Sequence, residues 1–413
     1  MLSAIAPIAR RLCTPRALRT LSYLPALSFL VRTPTSPKIG PWPSAELPPI
    51  PSELLSQPGI YKDPDAEEKA YAAAPLAAFS ETYPSGVRFL YRQVWRSLLP
   101  VAPSLVRSRR ICAELPSDPR GPRDDGVSSV ELTRVLRAYA EEIGLSAVGF
   151  AKYEPRYATL GHEEQCGDTV IIAVLEQNFR GTQSAPSVRS NKAQFLAYAG
   201  LGQRMVKVAT FLQERGYHAK AHNTGVDYLL EIPFAVEAGL GQLGVNGQLL
   251  TPTAGSRVRL GVIVTDAPLL LGQPVDYGIN GICDRCQVCV QRCPARAIPA
   301  KRTMHRGVEK AKINTKRCFP IVAVTSGCQV CMKVCPVQRY GLKEVLEHYI
   351  ETGEIKGKGT DQLEGFGWPL DGRHYGPGRR PVVTRRDLEP AGTEFSDEPG
   401  AEDHVGKIGT SAL

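Results

Sequence analysis

Regular spacing of apolar and polar positions begins roughly a third of the way along the chain. From Ser128 onward, Leu132, Val135, Leu136, Tyr139 and Ile143 recur at helical intervals, which predicts an amphipathic helix with one apolar stripe. Ser128 with Glu131 three residues later has the form of a capping box, and Gly144 is placed to stop the helix. Ala147 to Ala151 then reads as a buried strand. Val170 to Leu175 is a continuous, largely β-branched run, the pattern of a strand covered on both faces. Asn191 to Arg215 predicts a long helix with Leu201, Met205, Val208 and Leu212 on its inner stripe and Gly216 as its stop. Tyr217 to Ala221 is the next short strand, and Val258, Leu260, Val262 and Val264 alternate as in a half-exposed one. Strands interspersed with helices predict a layered α/β or α+β domain.

The flanks are different in kind. From Pro34 to about Arg123 the chain is rich in proline, which predicts extended wrapping segments interrupted by short helices such as Val87 to Leu99. Beyond Glu351 it is rich in glycine and proline and ends in an acidic stretch, EFSDEPGAED, expected to wrap the surface and then to be disordered.

Charge adds little beyond the N-terminus. The formal net charge is +9, but Arg10, Arg11, Arg16, Arg19, Arg32 and Lys38 precede the first acid, Glu46, and without them the charge falls to +3. The basic excess is thus local and argues against a nucleic-acid partner. Residues 1–38, Arg-rich and acid-free, resemble a targeting or anchor segment. Arg10-Arg11 followed by the apolar run Leu21 to Val31 loosely resembles a twin-arginine export signal, although that run is shorter than the ~20 residues needed to span a bilayer. A cytoplasmic location is expected, with export or membrane association through this segment as the alternative.

The cysteines carry the most specific signal. Of 11 in the chain, only Cys13, Cys112 and Cys166 lie outside one short stretch, and these three are expected to be core or surface thiols. Cys283, Cys286, Cys289 and Cys293-Pro294 follow the spacing C-x2-C-x2-C-x3-C-P; Cys318, Cys328, Cys331 and Cys335-Pro336 repeat it with a longer first gap. This is the run that wraps a cuboidal iron–sulfur cluster while its last cysteine reaches a second one. It assigns Cys283, Cys286, Cys289 and Cys335 to one 4Fe-4S cluster, and Cys318, Cys328, Cys331 and Cys293 to another. Structural zinc, the alternative for paired C-x2-C knuckles, needs only four ligands. His162, Glu163 and Glu164 lack the H-E-x-x-H spacing and read as a solvated loop.

Between the long helix and the cysteines lies EAGLGQLGVNGQLLTPTAGSR, in which Gly239, Gly241, Gly244 and Gly247 allow close backbone approach. Its spacing is not that of a dinucleotide-binding G-x-G-x-x-G turn. The run AVEAGLGQLGVNGQLLTPTAGSRVRLGVIVTDAPLL, with VIIAVLEQNF and SAPS before it and GFGWPLDGRHYGPGRRP near the end, resembles the corrinoid-dependent reductive dehalogenases and, more distantly, the epoxyqueuosine reductases. The resemblance covers about Val148 to Tyr340.

The resemblance implies an α+β protein with five parts: a possible targeting segment (1–38); a Pro-rich wrapping region (39–124); a nitroreductase-like corrinoid-binding α/β domain (125–280); a small bacterial-ferredoxin-like domain with two 4Fe-4S clusters (281–345); and a C-terminal wrapping segment and tail (346–413). It also implies a cobalamin-type corrinoid against Gly239, Gly241, Gly244 and Gly247, a low-potential electron donor, and an organohalide substrate that loses halide by two-electron reduction. Tyr198 falls where the family has a proton-donating tyrosine, Asn223 where it has a pocket asparagine, and Arg257 where it has the cation that favours phenolate. Arg259, two residues on and on the same strand face, competes with Arg257; Tyr198 also continues a helical stripe and could be core, and Asn223 could be a turn residue. Gln242, Val245 and Ser256 depart from the family pattern, and no D-x-H-x-x-G motif is present. The other readings are an epoxyqueuosine-reductase-like enzyme of tRNA modification and a non-catalytic 4Fe-4S electron carrier.

Overall fold

In a computed structural model of the chain, the described residues are 47–55, 98–124, 126–158, 162–222, 229–305, 308–324, 327–364, 369–370 and 373–374. The expected targeting segment, all but the end of the expected helix Val87 to Leu99, and the acidic tail lie outside them.

The centre is a four-stranded sheet. Helix α1 (Ala102–Glu114) and helix α2 (Ser129–Glu142) precede β1 (Ala147–Lys152) and β2 (Thr169–Glu176); α3 (Phe179–Gln183) and the long α4 (Val188–Gln213) lead to β3 (Ala219–Ala221). After α5 (Glu231–Glu237), β4 (Gln242–Leu243) and β5 (Leu249–Leu250) form a small antiparallel pair, and β6 (Val258–Thr265) returns to the main sheet. Its order is β1-β2-β6-β3, with every neighbouring pair antiparallel.

Two cores flank this sheet. On one face Phe150, Ile171, Ala173 and Ile263 pack against Leu132 and Leu136 of α2, Cys112 of α1, and Leu201, Met205 and Leu212 of α4. On the other, Val170, Ile172, Val174, Leu260 and Val262 meet Phe234 and Val236 of α5. Gly261 lets α4 lie close to β6, because a Cβ there would collide with Met205 and Leu201. The expectation that Val258 to Val264 forms a half-exposed strand is corrected: all eight residues of β6 are buried. β6 lies between β2 and β3 with helices on both faces, so its alternation separates two interiors rather than interior from solvent.

Local signals explain most element ends. Ser128 caps α2 by accepting from the Glu131 backbone N–H at 3.2 Å, but the Glu131 carboxylate turns to Arg134 instead of closing the box. The long helix starts at Val188, ahead of the expected Asn191, because Ser187 and Ser190 form a reciprocal capping box.

The remaining chain packs around the cysteines. It comprises α6 (Ile279–Cys286), α7 (Val288–Gln291), the hairpin strands β7 (Thr303–His305) and β8 (Val308–Lys310), α8 (Thr315–Val324), α9 (Val330–Lys333), α10 (Pro336–Tyr340) and α11 (Leu342–Thr352). Helix α11 runs across the boundary expected at residue 345. Leu54, from the short N-terminal segment 47–55, is fully buried with Ile279, Ile282, Val330, Val345 and Leu346. Among the described residues no helix is long and apolar enough to cross a membrane.

Candidate functional site

Folding brings the two cysteine runs together. Cys283 and Cys286 lie on α6, Cys289 on α7, and Cys335 arrives from the second run at the start of α10; all four line one cavity with Asn246, Leu250, Ile282, Val334 and Val337. The space among these side chains, about 340 Å³, is open to solvent and is only in small part enclosed. The positive φ of Gln287 turns the chain between α6 and α7, ahead of Cys289, and Gln329 makes the same turn into α9, between Cys328 and Cys331.

The thiols feel one another in two groups. Burial raises the Cys289 thiol well above its ordinary range, and negative charge at Cys283, Cys286 and Cys335 adds to the shift, with a last and smallest contribution from Cys331 across the gap between the groups. Cys318 is raised in the same way by burial and then by Cys293, Cys328 and Cys331. Backbone N–H groups oppose this: Ala297 donates to the Cys293 sulfur at 3.3 Å, and donation from Val245 favours the Cys283 thiolate. Such crowded, desolvated thiols are poor anions on their own and good ones when a cationic centre lies among them. Among the described residues no three His, Cys, Asp or Glu side chains converge as they would on a single ion. A mononuclear zinc site would hold its sulfurs roughly 4 Å apart, given a Zn–S distance of about 2.3 Å.

A second polar locus lies on the α4 face of the main sheet. Tyr198, on α4, is half-buried, and the guanidinium over its ring is that of Arg259, 5.2 Å from the ring centre. Arg257, the residue expected there, turns elsewhere: it donates to the Glu176 carboxylate at 2.9 Å and to the Gln177 carbonyl at 3.0 Å, and it lies over the Phe179 ring. Both arginines are buried, at 2% and 9% exposure. Among the described residues, the Nε of Arg259 and the Oγ of Ser256 are each buried without a hydrogen-bond partner, the kind of polar group that a native structure usually satisfies. Asn223 lies outside the described residues.

The four glycines sit against protein atoms. A Cβ at Gly239 would meet the Gln273 carbonyl, one at Gly241 the Leu250 carbonyl, one at Gly244 the Asn246 and Leu250 side chains, and one at Gly247 Ile313. The chain's own packing therefore demands them. They fold the β4–β5 hairpin tightly and bring Asn246 and Leu250 to the wall of the cysteine cavity. Sequence reasoning missed Gln177 and Gln329, which tie the two loci together; the only mark of Gln177 is a polar residue directly after an apolar strand.

No protein-family model matches the chain. Curated relatives do: a tetrachloroethene reductive dehalogenase of Dehalobacter restrictus is 35% identical over 158 residues, 38% of this chain and 27% of that protein. The enzyme of the same name from Sulfurospirillum multivorans is 33% identical over 131 residues, 32% of this chain and 26% of that one. An epoxyqueuosine reductase of Aliivibrio fischeri is 32% identical over 124 residues, 30% and 28% of the two chains. Among solved structures, the catabolic reductive dehalogenase NpRdhA superposes with a TM-score of 0.58 at 21% identity, over 69% of this chain and 44% of that one. A reductive dehalogenase structure described as suggesting a mechanism for B12-dependent dehalogenation gives 0.57 at 21%. The chain thus resembles reductive dehalogenases in sequence and shares their mixed α and β fold, with epoxyqueuosine reductases among its sequence relatives. The match spans little more than a quarter of the curated relatives and under half of the solved ones.

Proposed function

We propose that this chain is an oxidoreductase that removes halide from a small organohalide, with two 4Fe-4S clusters as its electron path and a corrinoid as its reaction centre. The observation that carries the reading is the crossing of the cysteine runs, which sets Cys335 with Cys283, Cys286 and Cys289 around one cavity. That crossing is what two-cluster ferredoxin wiring requires, and it supports reading residues 281–345 as a ferredoxin-like unit and residues 125–280 as a nitroreductase-like one. Cys318, Cys328, Cys331 and Cys293 hold the second cluster.

The polar groups at and just before β6 fit an acceptor-rich partner. Arg259 Nε and Ser256 Oγ, both buried and unpaired, suit the amide-fringed edge of a corrinoid, while the glycines from Gly239 to Gly247 close the backbone between that edge and the cluster cavity. A bound corrinoid supplies a cobalt centre able to collect two electrons that iron–sulfur clusters deliver singly. In the net reaction the carbon–halogen bond breaks, two electrons and one proton are taken up, a carbon–hydrogen bond forms and halide leaves. Tyr198 gives the proton from its hydroxyl, and Arg259 favours the phenolate left behind; solvent returns the proton. A low-potential donor outside the chain refills the clusters. Asn223 and the organohalide pocket belong to the same proposal, as does a cytoplasmic location.

Anaerobic assay of the reconstituted protein with a low-potential reductant and a panel of haloalkenes and halophenols tests this directly. Halide release that requires both clusters and corrinoid is expected. Release of halide without corrinoid would remove the corrinoid from the proposal, and no release from any substrate while the clusters turn over electrons would move the chain to the electron carriers.

A further inference from the structure

Gln177 follows β2 and is wholly buried, yet every polar atom of its side chain is engaged. Its Oε1 accepts from Arg259 at 2.6 Å; its Nε2 donates to Thr182 Oγ1 at 2.9 Å and to Gln329 Oε1 at 3.1 Å. Gln329 in turn donates to Gln194 Oε1 at 2.9 Å. Gln194 stands on α4 one helical turn before Tyr198, so both face the same side of that helix. A closed circuit results: Tyr198, Arg259, Gln177, Gln329, Gln194 and back to α4.

The direction of this circuit is fixed at one end. A guanidinium can only donate, so the Gln177 oxygen must face Arg259 and its NH2 must face away. That NH2 then meets the oxygen of Gln329, which leaves the NH2 of Gln329 for Gln194. Every amide orientation follows from the cation, and reversing any one would set donor against donor or acceptor against acceptor. Gln329 is also the residue after Cys328, and both hold positive φ, +61° and +49°, a backbone state that non-glycine residues adopt only when their surroundings impose it.

We propose that Gln177 is a positioning residue that aims the Arg259 guanidinium at Tyr198 and, through Gln329, holds the turn that presents Cys328, so that the proton-delivering site and one iron–sulfur cluster are set by a single buried relay. The proposal rests on the function given above for Tyr198 and Cys328. It deepens that reading by making the geometry of the cluster turn depend on a side chain that is not itself a cluster ligand. Backbone N–H groups beside ligating sulfurs tune cluster potential; a turn released from Gln177 presents those groups differently.

The test uses the full chain with reconstituted clusters, first without corrinoid. Redox titration followed by electron paramagnetic resonance resolves the two clusters in the parent, Gln177→Leu, Gln177→Glu and Gln329→Leu. Gln177→Glu keeps an acceptor for Arg259 but loses the donor to Gln329, so it separates the two ends of the relay and guards against misfolding of Gln177→Leu. The expected result is a shifted midpoint for one cluster and an unchanged midpoint for the other in all three variants. With corrinoid bound, Gln177→Leu should lower kcat roughly tenfold while KM stays within about twofold, the signature of lost positioning. Unchanged midpoints in Gln177→Glu and Gln329→Leu overturn the proposal, whatever happens to turnover. A shifted midpoint in a protein that never dehalogenates leaves the relay standing and removes only the functional reading on which its Tyr198 end depends.

Discussion

The guanidinium of Arg259 lies 5.2 Å from the centre of the Tyr198 ring. The contact is a cation over an aromatic face, and in the proposed reaction it places a positive charge beside the group that gives up its proton. Tyr198→Phe keeps the ring, its packing and its contact with Arg259 but removes the proton. Turnover should therefore fall roughly a hundredfold or more, with iron content and cluster spectra as in the parent. A rate assay beside iron analysis decides it: full turnover in the variant assigns the proton to another group.

The two arginines should separate by phenotype. Arg257 is nearly inaccessible and ion-paired with Glu176 at 2.9 Å, so Arg257→Leu leaves a mostly buried carboxylate unpaired. A stability loss of about 3 kcal/mol is expected, seen as a lower melting temperature. Arg259→Gln should instead cut kcat with a smaller change in melting temperature. The reverse pattern would return the role beside Tyr198 to Arg257.

Removal of single cysteines tests the crossing. If Cys335 belongs with Cys283, Cys286 and Cys289, Cys335→Ala loses the same cluster signal as Cys283→Ala, and Cys293→Ala loses the same one as Cys328→Ala. Iron should fall from about eight to about four per chain in each case. Spectral pairing of Cys335 with Cys328 would show that each run wraps its own cluster.

His222 gives a pH dependence. Its Nε2 is buried without a partner among the described residues; burial first, then the positive charge of Lys220 and His162, brings its pKa down to about 4 from an ordinary 6.5. The unfolded chain binds this proton more readily, so the stabilisation is complete above pH 6.5 and is lost as pH falls towards 4. The total is up to ~3 kcal/mol. Melting temperature followed from pH 7 to 4 should fall more steeply in the parent than in His222→Gln. Parallel curves would mean that this ring is protonated equally in both states.

What could be read from the sequence follows from how local each signal is. The stripes of α2 and α4 and the strand Val170 to Leu175 carry their own periodicity, and the cysteine spacing carries its own chemistry. The burial of β6 could not be read, because Arg257 and Arg259 look like solvent-facing residues until Glu176 and Gln177, on the neighbouring strand and just beyond it, are placed beside them. For the same reason the ring-facing cation was open between two arginines that the fold points at different partners. Glycines 239, 241, 244 and 247 read as a cradle for a ligand; that they also stand against Gln273 and Ile313 could not be read, because those residues lie too far along the chain for spacing to announce.

Metal content separates a corrinoid-dependent reductase from an electron carrier. The protein would be purified anaerobically in the presence of hydroxocobalamin, its clusters reconstituted, and iron, sulfide and cobalt measured per chain. A corrinoid-dependent iron–sulfur reductase predicts about eight irons, about eight sulfides and about one cobalt. About eight irons with no retained cobalt would contradict it and leave a two-cluster electron carrier in its place.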